Sequence, residues 1–327
     1  MKIHIYLVKK KIGLGTWSWG NKVFWNYSDS NDQTLRETFR EALKRGFSFI
    51  DTADTYGTGQ LRGRSEQLLG NFLSEIRESQ KNRFKIATKL APYPWRVGRS
   101  GFTKPFLDSL DRLNGKLDIV QLHWSTAKYN PWQEYQLLNN LSDLIDHGYR
   151  FKIGLSNIGP KKLAKMISFL EDKKKRIDCV QVQFSLLSPD INKQRLVKQI
   201  CELNNIDFLA YSPLSFGLLA TDPNEDVDKD KSLLRNLIFN IYKKSTIELR
   251  NTIKEIANSR SVSMAQVAIN WCLYQGAIPI VGLRKKSQVI DIAYTLKWDL
   301  KDYEFDLLEM ASSKCKQSMP SNPFSSN

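Results

Sequence analysis

Short apolar runs alternate with amphipathic segments along most of the chain. Eight runs have the length and composition of buried strands, namely residues 12–17, 47–50, 84–88, 117–122, 151–157, 179–184, 207–211 and 278–281. Between them apolar residues recur at helical spacing, as in the series Leu35, Phe39, Ala42 and Leu43. Strands that alternate with helices favour an α/β fold built on a parallel sheet.

Two parallel architectures fit this alternation, and the first strand distinguishes them. An open dinucleotide-binding sheet would place a G-x-G-x-x-G fingerprint after its first strand. Gly13 and Gly15 lack the third glycine of that fingerprint. Eight strands with intervening helices in about 300 residues predict a (β/α)8 TIM barrel instead.

The chain of 327 residues shows no linker, so we expect one domain over residues 1–327. Residues 1–11 read as an edge strand or hairpin arm. The connection at residues 218–246 is long, which is typical of a lid over a cofactor or substrate; a tolerated surface insertion is the alternative. The Ser- and Pro-rich residues 318–327 are expected to fray.

Composition narrows the class of protein. A hydrophobic fraction of 41% is ordinary for a globular protein, and no apolar run approaches the roughly 20 residues that span a bilayer. We therefore expect a cytoplasmic protein without a membrane segment. Four scattered cysteines show neither paired nor metal-ligand spacing, so neither a disulfide nor a metal is expected.

The formal net charge of +15 raises the question of nucleic-acid binding. The basic residues are spread over separate helices, and the compact runs at 9–11 and 173–176 lie where turns or helix ends are expected. Solvated surfaces explain the charge better than a specific nucleic-acid site. Weak attraction to polyanions remains compatible with it.

Three predicted strands are followed by an ionisable residue. These residues are Asp51, Lys89 and His123, and Tyr56 lies in the loop just after Asp51. Because the carboxyl ends of barrel strands lie on one side, the four side chains are expected to converge. An isolated histidine is most often a core residue, but three ionisable neighbours make His123 a catalytic candidate.

Five short motifs occur in order along the chain: D-T-A-D-T-Y-G at 51–57, A-T-K at 87–89, Q-L-H at 121–123, G-L-S-N at 154–157 and A-Y-S-P-L at 210–214. In this combination and spacing the chain resembles the aldo-keto reductase family over nearly its whole length. Two further stretches, W-S-W-G at 17–20 and P-W-R-V-G-R at 94–99, are similar to plant-plastid and cyanobacterial members, some related to pyridoxal reductases.

The resemblance implies reduction of a carbonyl group by hydride transfer, which leaves negative charge on oxygen and needs a proton donor. It assigns that role to Tyr56, supported by Asp51, Lys89 and His123. A free tyrosine has a pKa of about 10, and we expect the Lys89 ammonium to lower the pKa of Tyr56. Asp51 would keep Lys89 charged, and His123 would orient the carbonyl by a hydrogen bond.

None of these four groups can carry a hydride, so a cofactor is required. The resemblance implies NADPH, with Arg284 and Lys285 or Lys286 pairing with the 2′-phosphate. The cofactor-binding residues that it implies are Gly15, Thr16, Trp17, Ser156, Asn157, Gln181, Tyr211, Ser212, Leu214, Gly217, Gly282, Arg284, Lys285 and Gln288.

Within this set the resemblance assigns Ser156, Asn157 and Gln181 to the nicotinamide carboxamide and Tyr211 to the face of the nicotinamide ring. The chain departs from the family at Ile292, where many members have an asparagine that contacts adenine. This departure bears on cofactor affinity and on the preference for NADPH, not on the four catalytic candidates.

Large aromatic residues in the loops after the early strands predict the substrate pocket. The candidates are Trp19, Trp25, Trp95 and Trp124, with Tyr93 beside them. They favour flat or apolar aldehydes and ketones, and Arg96 or Arg99 could meet an anionic group. Packing within the loops is the alternative role for each of them.

Two other functions fit parts of this pattern. A cofactor-sensing regulatory subunit, like the potassium-channel β-subunit branch of the same fold, would bind the cofactor with little turnover. RNA binding through the basic surface would depend steeply on salt and need no cofactor. We expect a small-molecule carbonyl substrate rather than either partner.

Overall fold

The computed structural model describes residues 10–224, 232–320 and 325–326 of the chain. Its central element is a closed barrel of parallel strands in sequential order from β1 to β8. The strands are β1 (Gly13–Gly15), β2 (Phe49–Asp51), β3 (Lys85–Leu90), β4 (Ile119–Leu122), β5 (Lys152–Ser156), β6 (Ile177–Gln183), β7 (Asp207–Tyr211) and β8 (Ile278–Gly282). The predicted (β/α)8 barrel is confirmed.

Helices surround the barrel. They are α1 (Lys22–Trp25), α2 (Asp32–Lys44), α3 (Arg64–Ser74), α4 (Glu78–Lys81), α5 (Thr103–Arg112), α6 (Gln133–Asp146), α7 (Pro160–Glu171), α8 (Ile191–Leu203), α9 (Leu233–Lys243), α10 (Ile247–Arg260), α11 (Met264–Tyr274), α12 (Lys286–Tyr294) and α13 (Asp302–Ser313). Short 3-10 helices lie at Asp29–Asn31, Gly59–Leu61, Ser215–Ala220 and Thr295–Lys297.

The helices bury the apolar stripes that the sequence predicts. On α2, Leu35, Phe39 and Ala42 are buried against the barrel. Local polar groups set where some helices begin: Pro160 opens α7, and the Ser263 side chain accepts a hydrogen bond from the Gln266 N–H to cap α11. Burial of the apolar face therefore determines which side of each helix packs against the sheet.

Side chains fill the inside of the barrel. One buried layer consists of Phe49, Ala87, Ile119, Cys179, Leu209 and Ile280. Glycines leave room for neighbouring side chains at points of close approach; a Cβ on Gly154 would lie 2.6 Å from the Cys179 Sγ atom and 2.7 Å from the Gln121 Cγ atom. The barrel is therefore a packed core, and open space begins at its carboxyl end.

Strand register determines which residues meet at that carboxyl end. Gly15 pairs with Asp51 across β1 and β2, and Lys89 pairs with Gln121 across β3 and β4. Two more rim residues, Ser156 and Gln181, are partners across β5 and β6. The polar strand ends thus lie at one height around the rim.

Three predicted segments fall partly outside the described residues. Of the predicted edge strand at 1–11, residues 1–9 lie outside, and the Lys10 ammonium donates a 2.8 Å hydrogen bond to the Trp298 carbonyl. Of the predicted lid at 218–246, residues 225–231 lie outside, and α9 forms the part from Leu233 onward.

The fraying of residues 318–327 stays a prediction, because residues 321–324 and 327 lie outside the described ones; the described part of the segment makes specific contacts. Met319 is buried, and its N–H donates to the Leu187 carbonyl at 2.8 Å. Ser326 is also buried, and its Oγ accepts a 2.9 Å hydrogen bond from the Gly159 N–H. These contacts lie along the carboxyl rim of the barrel, where polar backbone groups were available to pair with the segment.

Candidate active site

The four predicted catalytic residues lie together at the carboxyl end of the barrel. Asp51 ends β2, Lys89 lies in β3, and His123 directly follows β4. The Lys89 Nζ atom donates to Asp51 Oδ2 at 2.6 Å and to Tyr56 Oη at 2.9 Å. The Tyr56 and His123 rings meet edge to face with centroids 5.8 Å apart. The Lys89 ammonium thus donates hydrogen bonds to both a carboxylate and a phenol.

Lys89 is only 1% exposed, so its charge depends on these partners. A third contact, from Nζ to the Thr52 carbonyl at 2.8 Å, uses its remaining proton. Burial disfavours the ammonium form, but the charge of Asp51 and the hydrogen bonds to Asp51 and Tyr56 outweigh it and raise the pKa of Lys89 above its ordinary value. The lysine is therefore charged at neutral pH.

The pKa of Tyr56 corrects the expectation that Lys89 would lower it overall. Burial raises the pKa of Tyr56 above 10, the Lys89 ammonium acts in the opposite direction, and the Asp51 carboxylate raises it again. The burial effect is the largest because the phenol lies deep in the cavity. Tyr56 therefore keeps its proton at neutral pH, as a proton donor must.

His123 is a neutral imidazole in this surrounding. Burial, followed by the positive charges of Lys89 and Arg96, holds the pKa of His123 well below its ordinary value of 6.5. Its Nδ1 atom lies 3.4 Å from the Thr55 hydroxyl oxygen. A neutral imidazole can donate one hydrogen bond to a carbonyl oxygen without competing for the proton of Tyr56.

Two amides complete the surroundings of Asp51. Its Oδ1 atom accepts a 2.7 Å hydrogen bond from Gln181 Nε2 and a longer one, at 3.3 Å, from Gln121 Nε2. The sequence assigned no role to Gln121, although its position two residues before His123 on a strand places both side chains on one face. Donors on both oxygens stabilise the ionised carboxylate.

Asp54 has a separate role from Asp51. Its Oδ2 atom accepts a 2.5 Å hydrogen bond from Arg96, and its Oδ1 atom accepts one from the Ala91 N–H at 3.2 Å. Arg96 also donates to the Ala91 carbonyl at 2.7 Å. The pair ties two rim loops together, so Arg96 is engaged and is not the residue to meet a substrate anion.

A cavity of about 850 Å³ opens above these groups and runs toward the amino end of α12. All four catalytic candidates line it. Thirteen predicted cofactor residues line it too, namely Gly15, Trp17, Ser156, Asn157, Gln181, Tyr211, Ser212, Leu214, Gly217, Gly282, Arg284, Lys285 and Gln288.

Thr16 is the predicted cofactor residue that does not line this cavity. Its side chain is buried, donates to the Asp51 carbonyl at 2.9 Å and contacts the Ser65 hydroxyl at 2.6 Å. Alternation along the strand explains the correction, because Thr16 points away from the face that Gly15 and Trp17 present. Thr16 holds the ends of β1 and β2 together.

The rim after β5 and β7 is held by hydrogen bonds among its own polar groups. The Tyr211 hydroxyl donates to Asn157 Oδ1 at 2.7 Å, and Asn157 Nδ2 donates to the His123 carbonyl at 3.0 Å. After Tyr211 the backbone turns sharply, with φ values of 51° at Ser212 and 96° at Gly217. The turn brings backbone groups to the cavity wall, and the left-handed φ at Gly217 suits glycine.

Arginines flank Trp25 at the other end of the cavity. The Arg284 guanidinium donates to the Trp25 carbonyl at 2.7 Å and lies 5.1 Å from its ring. The Arg235 guanidinium, from α9, lies 4.1 Å from the same ring. Arg235 also lines the cavity, and the sequence did not identify it because it follows the long connection after β7. Both arginines give this end of the cavity positive charge.

The first residues of α12 are organised by Gln288. Its Oε1 atom accepts hydrogen bonds from the N–H groups of Arg284 and Lys285, at 2.9 and 3.1 Å. Ile292, the departure from the family pattern, is buried and also lines the cavity. The helix end thus combines positive charge with an apolar wall.

Two of the four predicted pocket tryptophans line the cavity, and two do not. Trp25 and Trp124 line it. Trp19 is fully buried, packs against Phe72 and donates from Nε1 to the Leu283 carbonyl at 3.1 Å, so it belongs to the core. Trp95 is 69% exposed and stacks on Tyr93 outside the cavity. One further wall residue, Pro320, comes from the carboxyl-terminal segment.

No helix in the described residues combines the length and apolar character that a membrane crossing requires.

Comparison with known proteins places this geometry in context. The model of the Aldo/keto reductase family matches residues 11–312. The chain is 40% identical over 317 residues to the chloroplastic pyridoxal reductase of Arabidopsis thaliana, covering 96% of this chain and 86% of that protein. It is 28% identical over 304 residues to the aldo-keto reductase YhdN of Bacillus subtilis, covering 89% and 86%.

A solved structure matches the barrel as well. The glycerol dehydrogenase AKR11B4 from Gluconobacter oxydans superposes with a TM-score of 0.75 at 25% sequence identity, covering 95% of this chain and 94% of that chain. The resemblance predicted from the five motifs, including its relation to pyridoxal reductases, is confirmed.

Proposed function

The chain belongs to the aldo/keto reductase family of carbonyl-reducing oxidoreductases, and we propose that this protein reduces aldehydes or ketones to alcohols with NADPH. The observation that carries the proposal is the position of Lys89 Nζ, 2.6 Å from Asp51 Oδ2 and 2.9 Å from Tyr56 Oη. In this position the Lys89 ammonium places a fixed positive charge next to Tyr56, the proposed proton donor.

The residues around the cavity fit a nicotinamide dinucleotide. Amide and hydroxyl groups of Ser156, Asn157 and Gln181 lie beside the catalytic candidates, and cationic groups of Arg284 and Lys285 lie at the far end. Such an arrangement suits a molecule with a polar ring at one end and phosphates at the other. When bound, the cofactor supplies the hydride.

The protein's own groups would manage the proton and the developing charge. Tyr56 would release its proton to the carbonyl oxygen, and the Lys89 ammonium would stabilise the tyrosinate that remains. Asp51 would keep Lys89 charged and fixed in place. Neutral His123 would orient the carbonyl oxygen by a hydrogen bond, leaving Tyr56 as the proton donor.

The cationic end of the cavity supports NADPH over NADH. Arg284 and Lys285 can meet a 2′-phosphate, and a bidentate guanidinium contact is among the strongest that proteins offer to phosphate. Ile292 offers no amide to adenine, so we expect the phosphate contacts to supply most of the selectivity at this end.

The test is cofactor oxidation by the purified protein with a panel of aldehydes and ketones. Pyridoxal belongs in the panel because the plant relative carries that name. With Tyr56→Phe we expect kcat to fall about 10²- to 10⁴-fold while NADPH still binds. Tyr294→Phe, at an exposed tyrosine of α12, should keep full activity.

Two outcomes would contradict the proposal in different ways. Tight NADPH binding without turnover of any carbonyl would favour a cofactor-sensing regulatory subunit. Absence of NADPH binding would overturn the cofactor assignment itself. The cytoplasmic location stays a prediction.

A further inference from the structure

A cluster of one arginine and three aromatic rings extends outward from the cavity wall at Trp124. The Arg62 guanidinium carbon lies 4.5 Å from the centroid of the Tyr93 ring. The Tyr93 ring stacks on Trp95 at 4.6 Å, with an interplanar angle of 4°, and meets Trp124 edge to face at 5.7 Å. The Tyr93 ring thereby links the arginine to the wall of the cavity.

This cluster is connected to the catalytic groups by direct contacts. Trp124 lines the cavity, and its ring centroid lies 5.0 Å from that of His123. The Arg62 backbone lies beside Gly57, the residue after Tyr56, because a Cβ on Gly57 would lie 3.3 Å from the Arg62 Cα atom. Arg62 is therefore connected to the catalytic residues in two ways. Its backbone lies beside the residue after Tyr56, and the Tyr93 and Trp124 rings connect its guanidinium to His123.

The charge of Arg62 is available to a ligand. Its side chain is exposed, and within the described ranges no carboxylate lies within 4 Å of it. Arg96, which also lies near the Tyr93 ring, is held by Asp54 instead. Stacking on an aromatic face orients a guanidinium while leaving its N–H edge open to carboxylate or phosphate oxygens.

We propose that the substrates of this protein are carbonyl compounds that carry an anionic group away from the carbonyl, and that Arg62 binds that group. The inference rests on the proposed reductase function and adds the substrate class. An aromatic or extended body would lie along Trp124 and Tyr93, with the carbonyl at Tyr56 and the anion at Arg62. The formal net charge of +15 would further favour the approach of anions.

The experiment compares anionic and neutral aldehydes of matched shape. The carboxylate probes are 4-formylbenzoate and the longer 3-(4-formylphenyl)propanoate, each against its methyl ester. The phosphate probe is 4-formylphenyl phosphate, against 4-methoxybenzaldehyde. Each is assayed with wild type, Arg62→Gln, Arg62→Lys and the control Arg83→Gln, which removes an exposed arginine just before β3, at the amino end of the barrel.

We expect Arg62→Gln to lower kcat/KM for at least one anionic probe about tenfold, mainly through KM. The neutral partner should change less than about twofold, and Arg62→Lys should retain part of the preference because it keeps the charge. Arg83→Gln should match wild type. The probe with the larger loss then identifies carboxylate or phosphate as the preferred group.

Equal losses for anionic and neutral probes, no loss for any probe, or an equal loss in Arg83→Gln would overturn the assignment of Arg62. If wild type reduces none of the aldehydes, the reductase proposal fails separately. Quenching of tryptophan fluorescence by the same probes then tests Arg62 alone, with the same expected ratio between anionic and neutral forms.

Discussion

Gln181 and Asp51 meet across the mouth of the barrel, with Gln181 Nε2 donating a 2.7 Å hydrogen bond to Asp51 Oδ1. The amide that the resemblance assigns to the nicotinamide therefore also contacts the carboxylate that holds Lys89. Under the proposed function, cofactor binding and the charge of Lys89 would depend on the same side chain. This relationship leads to a first prediction.

Replacing Gln181 by Leu should weaken both functions of the amide. Loss of a hydrogen bond to a buried carboxylate should lower the free energy of unfolding of the cofactor-free protein by about 1.5–3 kcal/mol. NADPH affinity should fall as well. Gln121→Leu is the matched control, because its bond to Asp51 Oδ1 is longer, at 3.3 Å; a larger loss of stability there than in Gln181→Leu would contradict the prediction.

Lys89→Met should strand the buried Asp51 carboxylate. We expect a loss of about 3–5 kcal/mol in the free energy of unfolding, together with loss of activity. Adding Asp51→Asn should restore much of the stability, because the uncompensated charge is gone, but none of the activity. Urea unfolding of both single variants and the double variant measures this; additive losses in the double variant would argue against the ion pair.

His123 should make stability depend on pH on the acid side of neutrality. Its folded-state pKa is held well below 6.5, mainly by burial, so the unfolded chain binds this proton more readily than the folded one. The contribution of His123 is complete above about pH 6.5 and is lost as pH falls toward the folded-state pKa. Between these limits the free energy of unfolding should depend less on pH in His123→Gln than in wild type. An unchanged dependence on pH would assign the effect to other groups.

Tyr56 predicts the alkaline side of the activity profile. Because burial raises its pKa above 10, the phenol stays protonated through neutral and mildly alkaline pH. The reduction rate should therefore show no loss from Tyr56 ionisation below about pH 9. A profile of kcat with saturating cofactor and substrate measures this, and a fall centred near neutral pH would point to another proton donor.

Cofactor selectivity should reside in Arg284. Arg284→Gln should raise KM for NADPH about tenfold while leaving KM for NADH nearly unchanged, because only NADPH carries the 2′-phosphate. Lys286→Gln is the control: Lys286 is exposed, lies 4.0 Å from Glu41 and does not line the cavity. Equal effects on both cofactors would mean that Arg284 acts through Trp25 instead.

The sequence predicted the barrel and the positions of the catalytic candidates because both depend on short-range order. Asp51, Lys89 and His123 each follow an apolar run, and parallel strands bring such ends together whatever the helices contain. The ends of the strands were predicted less accurately. The predicted run at 12–17 forms a strand only at Gly13–Gly15.

Other features depend on burial, which no local pattern specifies. Trp19 and Trp25 occupy one loop and have the same chemistry, yet one lies in the core and the other on the cavity wall. The direction of the Tyr56 pKa shift likewise depends on how deeply the phenol is buried. Arg235 lines the cavity from α9, within the connection at 218–246 that the sequence predicts as a lid, but no motif singles out this residue.

The contacts of Ser326 have a practical consequence for anyone who handles this protein. Its N–H donates to the Asn157 carbonyl at 3.4 Å, and its hydroxyl accepts from Gly159, so this residue touches the loop that carries a predicted nicotinamide ligand. A bulky label or a substitution at Ser326 would therefore disturb this loop, and kinetic constants measured on such a protein would include that disturbance.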